Sequence, residues 1–255
     1  MELRPAGESD LPGLHLVWWA TGEEQRQNPW FSHVLRTGKM MVAVEGAEVV
    51  GFAGIRRLDS TSAVTDCFVH PHHQGRGIGT ALLKQLIPPG EPVITLASDH
   101  ALAAPLYRRL GMRELVACDY LAGDPAPFAS SPTPNMVDSY PADPTDLSYL
   151  RHGLHCTFLQ GEGFAAVTPG AVESSIASTE GAEQLVVGAL SHLAQSGSRS
   201  VQVQLTPSHP AHRLLLAQGF QLRYSDTLMA SPGAVVPDHG RLTFNGDFLR
   251  HVGWR

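Results

Sequence analysis

Val69-His70-Pro71-His72-His73-Gln74-Gly75-Arg76-Gly77-Ile78-Gly79-Thr80 sets three alternate glycines between an apolar run and a stretch with helical periodicity. Upstream, Ser62–Val69 contains Val64, Phe68 and Val69 and reads as a strand. Downstream, Ile78, Leu82 and Leu86 recur at helical spacing until Pro88-Pro89-Gly90 stops them. A strand, a glycine turn and a helix start together suit an anion. The first helical turn leaves amide N–H groups without acceptors and carries a partial positive charge. Glycine lets that backbone approach a diphosphate with no Cβ in the way. A dinucleotide fold needs Gly-x-Gly-x-x-Gly and a Walker loop needs Gly-Lys-Ser/Thr. Neither pattern is present.

Working outward, Asp10 precedes Leu11, Leu14, Val17 and Trp18, an apolar helical face behind a capping residue. Lys39–Val44 and Val49–Ile55 read as strands joined by a turn near Gly46, and Pro92–Ala97 as another. Leu102, Ala103, Leu106 and Leu110 mark a helix that Gly111 ends, and Arg113–Leu121 is a closing strand. This is a mixed α/β layout.

The chain repeats itself. Shifted by 108 positions, Val93-Ile94-Thr95-Leu96 falls on Val201-Gln202-Val203-Gln204, Leu106 on Leu214 and Gly111 on Gly219. At 112, Gly51-Phe52-Ala53-Gly54-Ile55 meets Gly163-Phe164-Ala165-Ala166-Val167, and at 136 Pro5-Ala6 meets Pro141-Ala142. Two similar domains follow, each a mixed central sheet flanked by helices, over 1–125 and 136–255. The stretch Gly123–Pro134, rich in proline and serine, reads as an extended linker between them.

The net charge of −6 argues against a nucleic-acid binder, whose footprint is basic. Cys67, Cys118 and Cys156 have no CxxC spacing and are odd in number, so reducing cytoplasm is expected rather than a disulfide framework. No apolar run is long enough to span a membrane, and no membrane partner is expected. His70, His72 and His73 cluster ahead of the loop, but without a carboxylate or cysteine partner they read as surface groups and no metal is expected. Oligomeric state is left open.

The pattern Val-x-Pro-x-x-Gln-Gly-x-Gly-x-Gly over 69–79 resembles the acetyl-CoA loop of the GNAT superfamily of N-acetyltransferases. About thirty residues on, Ala103-Ala104-Pro105-Leu106-Tyr107-Arg108-Arg109-Leu110-Gly111-Met112 resembles that superfamily's Ala-x-x-Leu-Tyr-x-x-x-Gly-Phe motif. The resemblance implies two tandem GNAT-like domains and acetyl-CoA as co-substrate. It implies that the strand before the loop splays from its neighbour and that Phe68, Val69 and His70 offer backbone groups to the pantetheine. Amides of Gln74, Gly75, Arg76, Gly77, Ile78, Gly79 and Thr80 would hold the pyrophosphate. Tyr107 would protonate the departing CoA thiolate. The family often has asparagine seven residues earlier. His100 stands there instead, as a weaker cofactor contact.

Asp66, on the same strand face as Phe68, is the candidate base for the incoming amine, with a solvated strand-end acid as the alternative. Glu23 and Glu24, with Trp18, Trp19, Trp30 and Phe31, are candidates to line an acceptor pocket, or else surface and core. The acceptor is expected to be a small-molecule primary amine, with a protein or peptide amine as the alternative. A non-catalytic acyl-CoA binding module is the competing class. At the 108 shift, Gln74 faces Ala182, Gly75 faces Glu183, Gly77 faces Leu185, Gly79 faces Val187 and Tyr107 faces Leu215. The second copy is therefore expected to keep the fold but not the cofactor.

Overall fold

The computed structural model describes residues 1–22, 28–236, 238 and 240–244. The chain forms two compact units. The first comprises Met1–Leu96, Ala101–Arg113 and Met229–Val235, and the second comprises Ala97–His100, Glu114–Leu228 and the residues from Val236 onward.

The first unit opens with β1 (Glu2–Pro5), α1 (Leu11–Ala20) and α2 (Pro29–Thr37). Asp10 does not cap α1 with its side chain. Its carboxylate takes both Arg4 guanidinium nitrogens, at 2.7 and 2.8 Å, and the Gly7 N–H at 2.9 Å. The stronger charged donor wins the oxygen atoms, and the Arg4 hydrogen bonds hold the Asp10 carboxyl below its usual range. Asn28 does cap α2, accepting from Trp30 N–H at 3.0 Å.

Next come β2 (Lys39–Glu45), β3 (Glu48–Leu58), β4 (Thr61–Val69), α3 (Ile78–Leu86), β5 (Val93–Ala97) and α4 (Ala103–Arg109). The β2–β3 turn uses Gly46 at φ 63°, where glycine carries no Cβ penalty. Strand order is β1-β2-β3-β4-β5, antiparallel except for the parallel β4–β5 pair. Alternation along β4 sends Asp66 and Phe68 to one face and Cys67 and Val69 to the other. Phe52 and Phe68 meet with tilted rings at 5.5 Å and Phe31 of α2 meets Phe52 at 5.0 Å, so α2 covers the first face. The other face receives α3, where a Cβ at Gly79 would lie 3.2 Å from Cys67 Sγ.

The second unit holds most of β6 (Arg113–Gly123), then β7 (Asn135–Val137), α5 (Pro144–Ser148), β8 (Thr157–Gln160), β9 (Gly163–Thr168), β10 (Ala171–Ala177), α6 (Ala182–Gln195), β11 (Val201–Leu205), α7 (Pro210–Ala217), most of β12 (Gln221–Ala230) and β13 (Leu242–Phe244). Strand order is β12-β6-β11-β10-β9-β8-β7, with β13 beside β10. Its core gathers Leu121, Leu159, Val172, Leu185, Leu190, Val203, Leu215 and Phe220.

Some strand pairings recur 108 residues apart. Ala63 and Val64 face Ile94 and Thr95 in parallel, and 108 residues later Ala171 and Val172 face Gln202 and Val203 in parallel. In β4, Thr65 is a bulge, because Gly54 faces Asp66 while Ile55 faces Val64. In β10, Glu173 is the corresponding bulge, between Val172 facing Val167 and Ser174 facing Ala166. Closing strands are exchanged. Val201 faces Gly123 at the end of β6 in the second unit. In the first, Val93 binds Ser231, the residue 108 beyond Gly123, through two hydrogen bonds of 2.8 Å.

The Gly123–Pro134 stretch is not an extended linker. A 3-10 turn at Ala126–Phe128 buries Phe128 against Phe220 in the second unit. Gln195 Nε2 donates to the Ala129 carbonyl at 2.9 Å and Ser191 Oγ to the Ser131 carbonyl at 2.7 Å. Proline and serine disfavour a long helix or strand here but not docking. A buried phenylalanine contributes about 2 kcal/mol, and the α6 side chains satisfy the irregular backbone.

Candidate functional site

The site is built where β4 meets α3. Parallel β4–β5 pairing ends at Val64–Thr95, at the Thr65 bulge. A bulge bends its strand and stops pairing. Beyond it, Asp66–Val69 keeps β3 as partner on one side, and the side toward β5 lies outside the ladder. The backbone that the sequence reading assigned to Phe68 and Val69 is therefore at a strand edge inside the unit.

The chain then makes one 3-10 turn at Pro71–His73. Gln74 folds back, its Nε2 donating to the Val69 carbonyl at 3.0 Å. That bond fixes the loop's entry. Gly75 and Gly77 have φ of 75° and 80°, and a Cβ at either would meet nothing within 4 Å. Glycine is required there by backbone sign, and the space in front is open. Gly79 is different: it is helical, and its missing Cβ lets α3 close on Cys67 and on Leu106 of α4. Ala81 N–H bonds to the Gly77 carbonyl at 3.0 Å, opening the helical ladder. The N–H groups of Ile78, Gly79 and Thr80 precede any helical acceptor and point out of the helix start.

Arg76 does not extend over the loop. Its guanidinium binds Glu45 at 2.8 Å and His73 Nδ1 at 2.9 Å. His70 lies 5.3 Å from His72 and 5.8 Å from His73, ring to ring. Among the described residues no group of three His, Cys, Asp or Glu could hold a metal ion.

Asp66 is 6 % exposed. Burial pushes its carboxyl up to about 7, with Thr65 and Trp30 pulling it partly back. Its Oδ2 has no hydrogen-bond partner among the described residues. An acid balanced near neutrality suits proton exchange better than a solvated carboxylate would. Burial likewise drives the neighbouring Cys67 thiol up to about 12, which disfavours a thiolate there.

Tyr107 lies in α4, one residue after the Leu106 that packs on Gly79, and is 6 % exposed. His100 is exposed and belongs to the second unit. Trp18, Trp30 and Phe31 are core residues, while Trp19 stands 48 % exposed. Glu23 and Glu24 lie outside the described residues. The sequence reading missed Arg56. It is 1 % exposed, and its Cζ sits 5.4 Å over the Trp30 ring. Its signal was an arginine pair inside an otherwise apolar strand.

Residues 36–114 match the model of the acetyltransferase (GNAT) domain family. It is 36 % identical over 80 residues to the N-alpha-acetyltransferase RimI of Mycobacterium tuberculosis, covering 29 % of this chain and 51 % of RimI. The chain thus spans about half the length of that curated relative. Across nearly the whole chain the fold is that of an acetyltransferase candidate of Pyrococcus horikoshii, with TM-score 0.75, 17 % identity, and coverage of 98 % and 93 %. A GCN5-related N-acetyltransferase of Sphaerobacter thermophilus aligns at TM-score 0.58 and 16 % identity, covering 90 % and 95 %. The mixed α/β fold is therefore shared with these two structures over 90 % or more of the chain. Among the described residues no helix is long and apolar enough to cross a membrane.

Proposed function

We propose that the chain is an N-acetyltransferase that moves an acetyl group from acetyl-CoA to a primary amine by direct attack in a ternary complex, with one cofactor site, in its first half. The observation that carries this reading is the end of the β4–β5 ladder at Val64–Thr95, directly upstream of two left-handed glycines with open space before them. An edge that offers peptide groups suits the amides of a pantetheine arm. The loop amides and the α3 N-terminus suit a diphosphate. These residues therefore fit acetyl-CoA, which supplies an acetyl group activated as a thioester.

Phe68, Val69 and His70 hold the arm through backbone groups, and Gln74–Thr80 holds the diphosphate. Asp66 takes a proton from the attacking amine as its nitrogen bonds the acetyl carbon, and afterwards releases that proton to solvent. Tyr107 gives its phenolic proton to the sulfur as the carbon–sulfur bond breaks, and recovers one from solvent. The products are an amide and a free thiol. The second half serves as a degenerate GNAT-like copy, since Ala182, Glu183, Leu185 and Val187 replace the loop residues and a side chain stands wherever close approach is needed.

A small-molecule amine is the first acceptor class. A peptide α-amine is a second reading, favoured by the 36 % identity to a protein named an N-alpha-acetyltransferase. A thiol-release screen with acetyl-CoA over amines, amino acids, aminoglycosides and amino-terminal peptides tests both. Release with any amine above the hydrolysis background supports transfer. Intact CoA binding with no release across the panel would leave an acyl-CoA binding module instead.

A further inference from the structure

The second unit has the same ladder end as the first, and there it is filled. Parallel β10–β11 pairing stops at Val172–Val203, followed by the Glu173 bulge. In the first unit the corresponding edge begins at Asp66. In the second, Ser174, Ser175 and Ile176, which are 108 residues beyond Asp66, Cys67 and Phe68, pair antiparallel with Phe244, Thr243 and Leu242. Their other side keeps β9, with Ser174 facing Ala166, Ser175 facing Ala165 and Ile176 facing Phe164. The chain's own late segment therefore occupies the edge that the bulge opens.

The seat is specific in its polar detail. Ala177 N–H donates to the Arg241 carbonyl at 3.2 Å. Ser174 Oγ donates to the Thr243 carbonyl at 3.3 Å, and Thr243 Oγ1 donates to Ser175 Oγ at 2.9 Å. Tyr140 OH, itself buried, donates to Ser174 Oγ at 2.9 Å and fixes that hydroxyl. Thr243 and Leu242 are buried. Main-chain pairing supplies attraction, and the serine hydroxyls read the main chain and one threonine.

We propose that the second unit is a binding site for extended peptide main chain, and that its resident ligand is Leu242–Phe244 of the same chain. The inference rests on the repeated register rather than on catalysis, so failure of acetyl transfer leaves it standing. It assigns the second unit a ligand class, a β-strand, in place of a nucleotide cofactor. Short terminal strands open readily, so removing the resident strand should make the seat available in trans.

The test uses the chain ending at Gly240 and a synthetic peptide of residues 240–246. The truncated chain is expected to bind that peptide at least about tenfold more tightly than the full chain does, and a Thr243→Pro peptide is expected not to bind. CoA stoichiometry is expected to stay at one in both chains. A folded truncated chain that ignores the peptide, or one that takes a second equivalent of CoA, overturns the proposal. Should the truncated chain not fold, hydrogen exchange on full-length Thr243→Pro decides. Loss of at least about tenfold protection at residues 174–177, with residues 93–97 unchanged, supports the site. Unchanged protection at residues 174–177 overturns it.

Discussion

Asp66 faces Gly54 across the β3–β4 ladder, and a Cβ at position 54 would stand 3.1 Å from Asp66 Oδ2 and 2.6 Å from Thr65 Oγ1. The glycine makes room for a buried carboxyl at the bulge. Gly54→Ala is therefore expected to move the carboxyl and lower the transfer rate about tenfold or more, with a stability loss of roughly 1–3 kcal/mol. Steady-state kinetics and urea unfolding on the same variant separate the two effects.

Asp66 has opposite effects on folding and on the proposed chemistry. Its folded pKa, about 7, lies above that of an unfolded aspartate. Its contribution to stability is thus fully present below the unfolded value near 3.9 and is lost as pH rises through 7. Asp66→Asn is expected to raise the unfolding free energy at pH 8, by roughly 2–4 kcal/mol, and to leave it little changed at pH 4. As proton acceptor, the carboxylate is active above pH 7. The wild-type rate should climb through that range, and the asparagine variant should be slower by about 10²-fold with the climb removed. Melting curves and a pH–rate profile check the two halves.

Tyr107→Phe keeps the ring and removes one hydroxyl. With Tyr107 as proton donor to the sulfur, kcat should fall by about 10²-fold or more. Affinity for CoA should stay within about twofold, because the proposed seat is made of loop amides. Calorimetry on the variant together with a thiol-release assay gives both numbers. A variant that binds CoA and transfers normally removes the acid assignment.

Gly77→Ala puts a Cβ on a left-handed residue that has open space around it. The cost to folding should be about 1–2 kcal/mol from backbone sign alone. The methyl group would stand in the path of a diphosphate, so the CoA dissociation constant should rise about tenfold or more. Gly79→Ala is expected to act differently, since its Cβ meets Cys67 and Leu106 and loosens α3. Its effect should appear in the melting temperature first.

Ser231→Pro removes the N–H that Val93 accepts and the hydroxyl that takes Val93 N–H. Losing one main-chain and one side-chain hydrogen bond should cost roughly 2–3 kcal/mol. Hydrogen exchange should report the loss at β5 of the first unit.

The glycine loop was legible because its physics is local. Three glycines, a glutamine and a helix start are read from a dozen consecutive residues, and Gly75 and Gly77 adopt the left-handed backbone that only such positions need. The 108-residue shift was read in the same local way, and strand pairings recur at that spacing. Asp10 shows where local reading fails: a capping residue was visible, but the Arg4 that claims its carboxylate was not. Phe128 shows it again, because composition marks Gly123–Pro134 as irregular without saying whether it is free or docked. The filling of the β10 edge by Leu242–Phe244 depends on contacts nearly seventy residues apart, and no pattern along the chain announces those. Asp66 was visible as a carboxylate on the right face. Its burial, which sets its proton affinity, came only with Trp30 and Gly54 packed around it.

The exchanged closing strands have a consequence for inheritance. Val93 and Ser231 are 138 residues apart in the sequence yet joined by two hydrogen bonds, so a harmful change in the late coding region is felt in the early half. Recombination that replaced either half with a distant relative's would swap one edge of each sheet for a stranger's. A change tolerated in one half is therefore constrained by a partner encoded in the other.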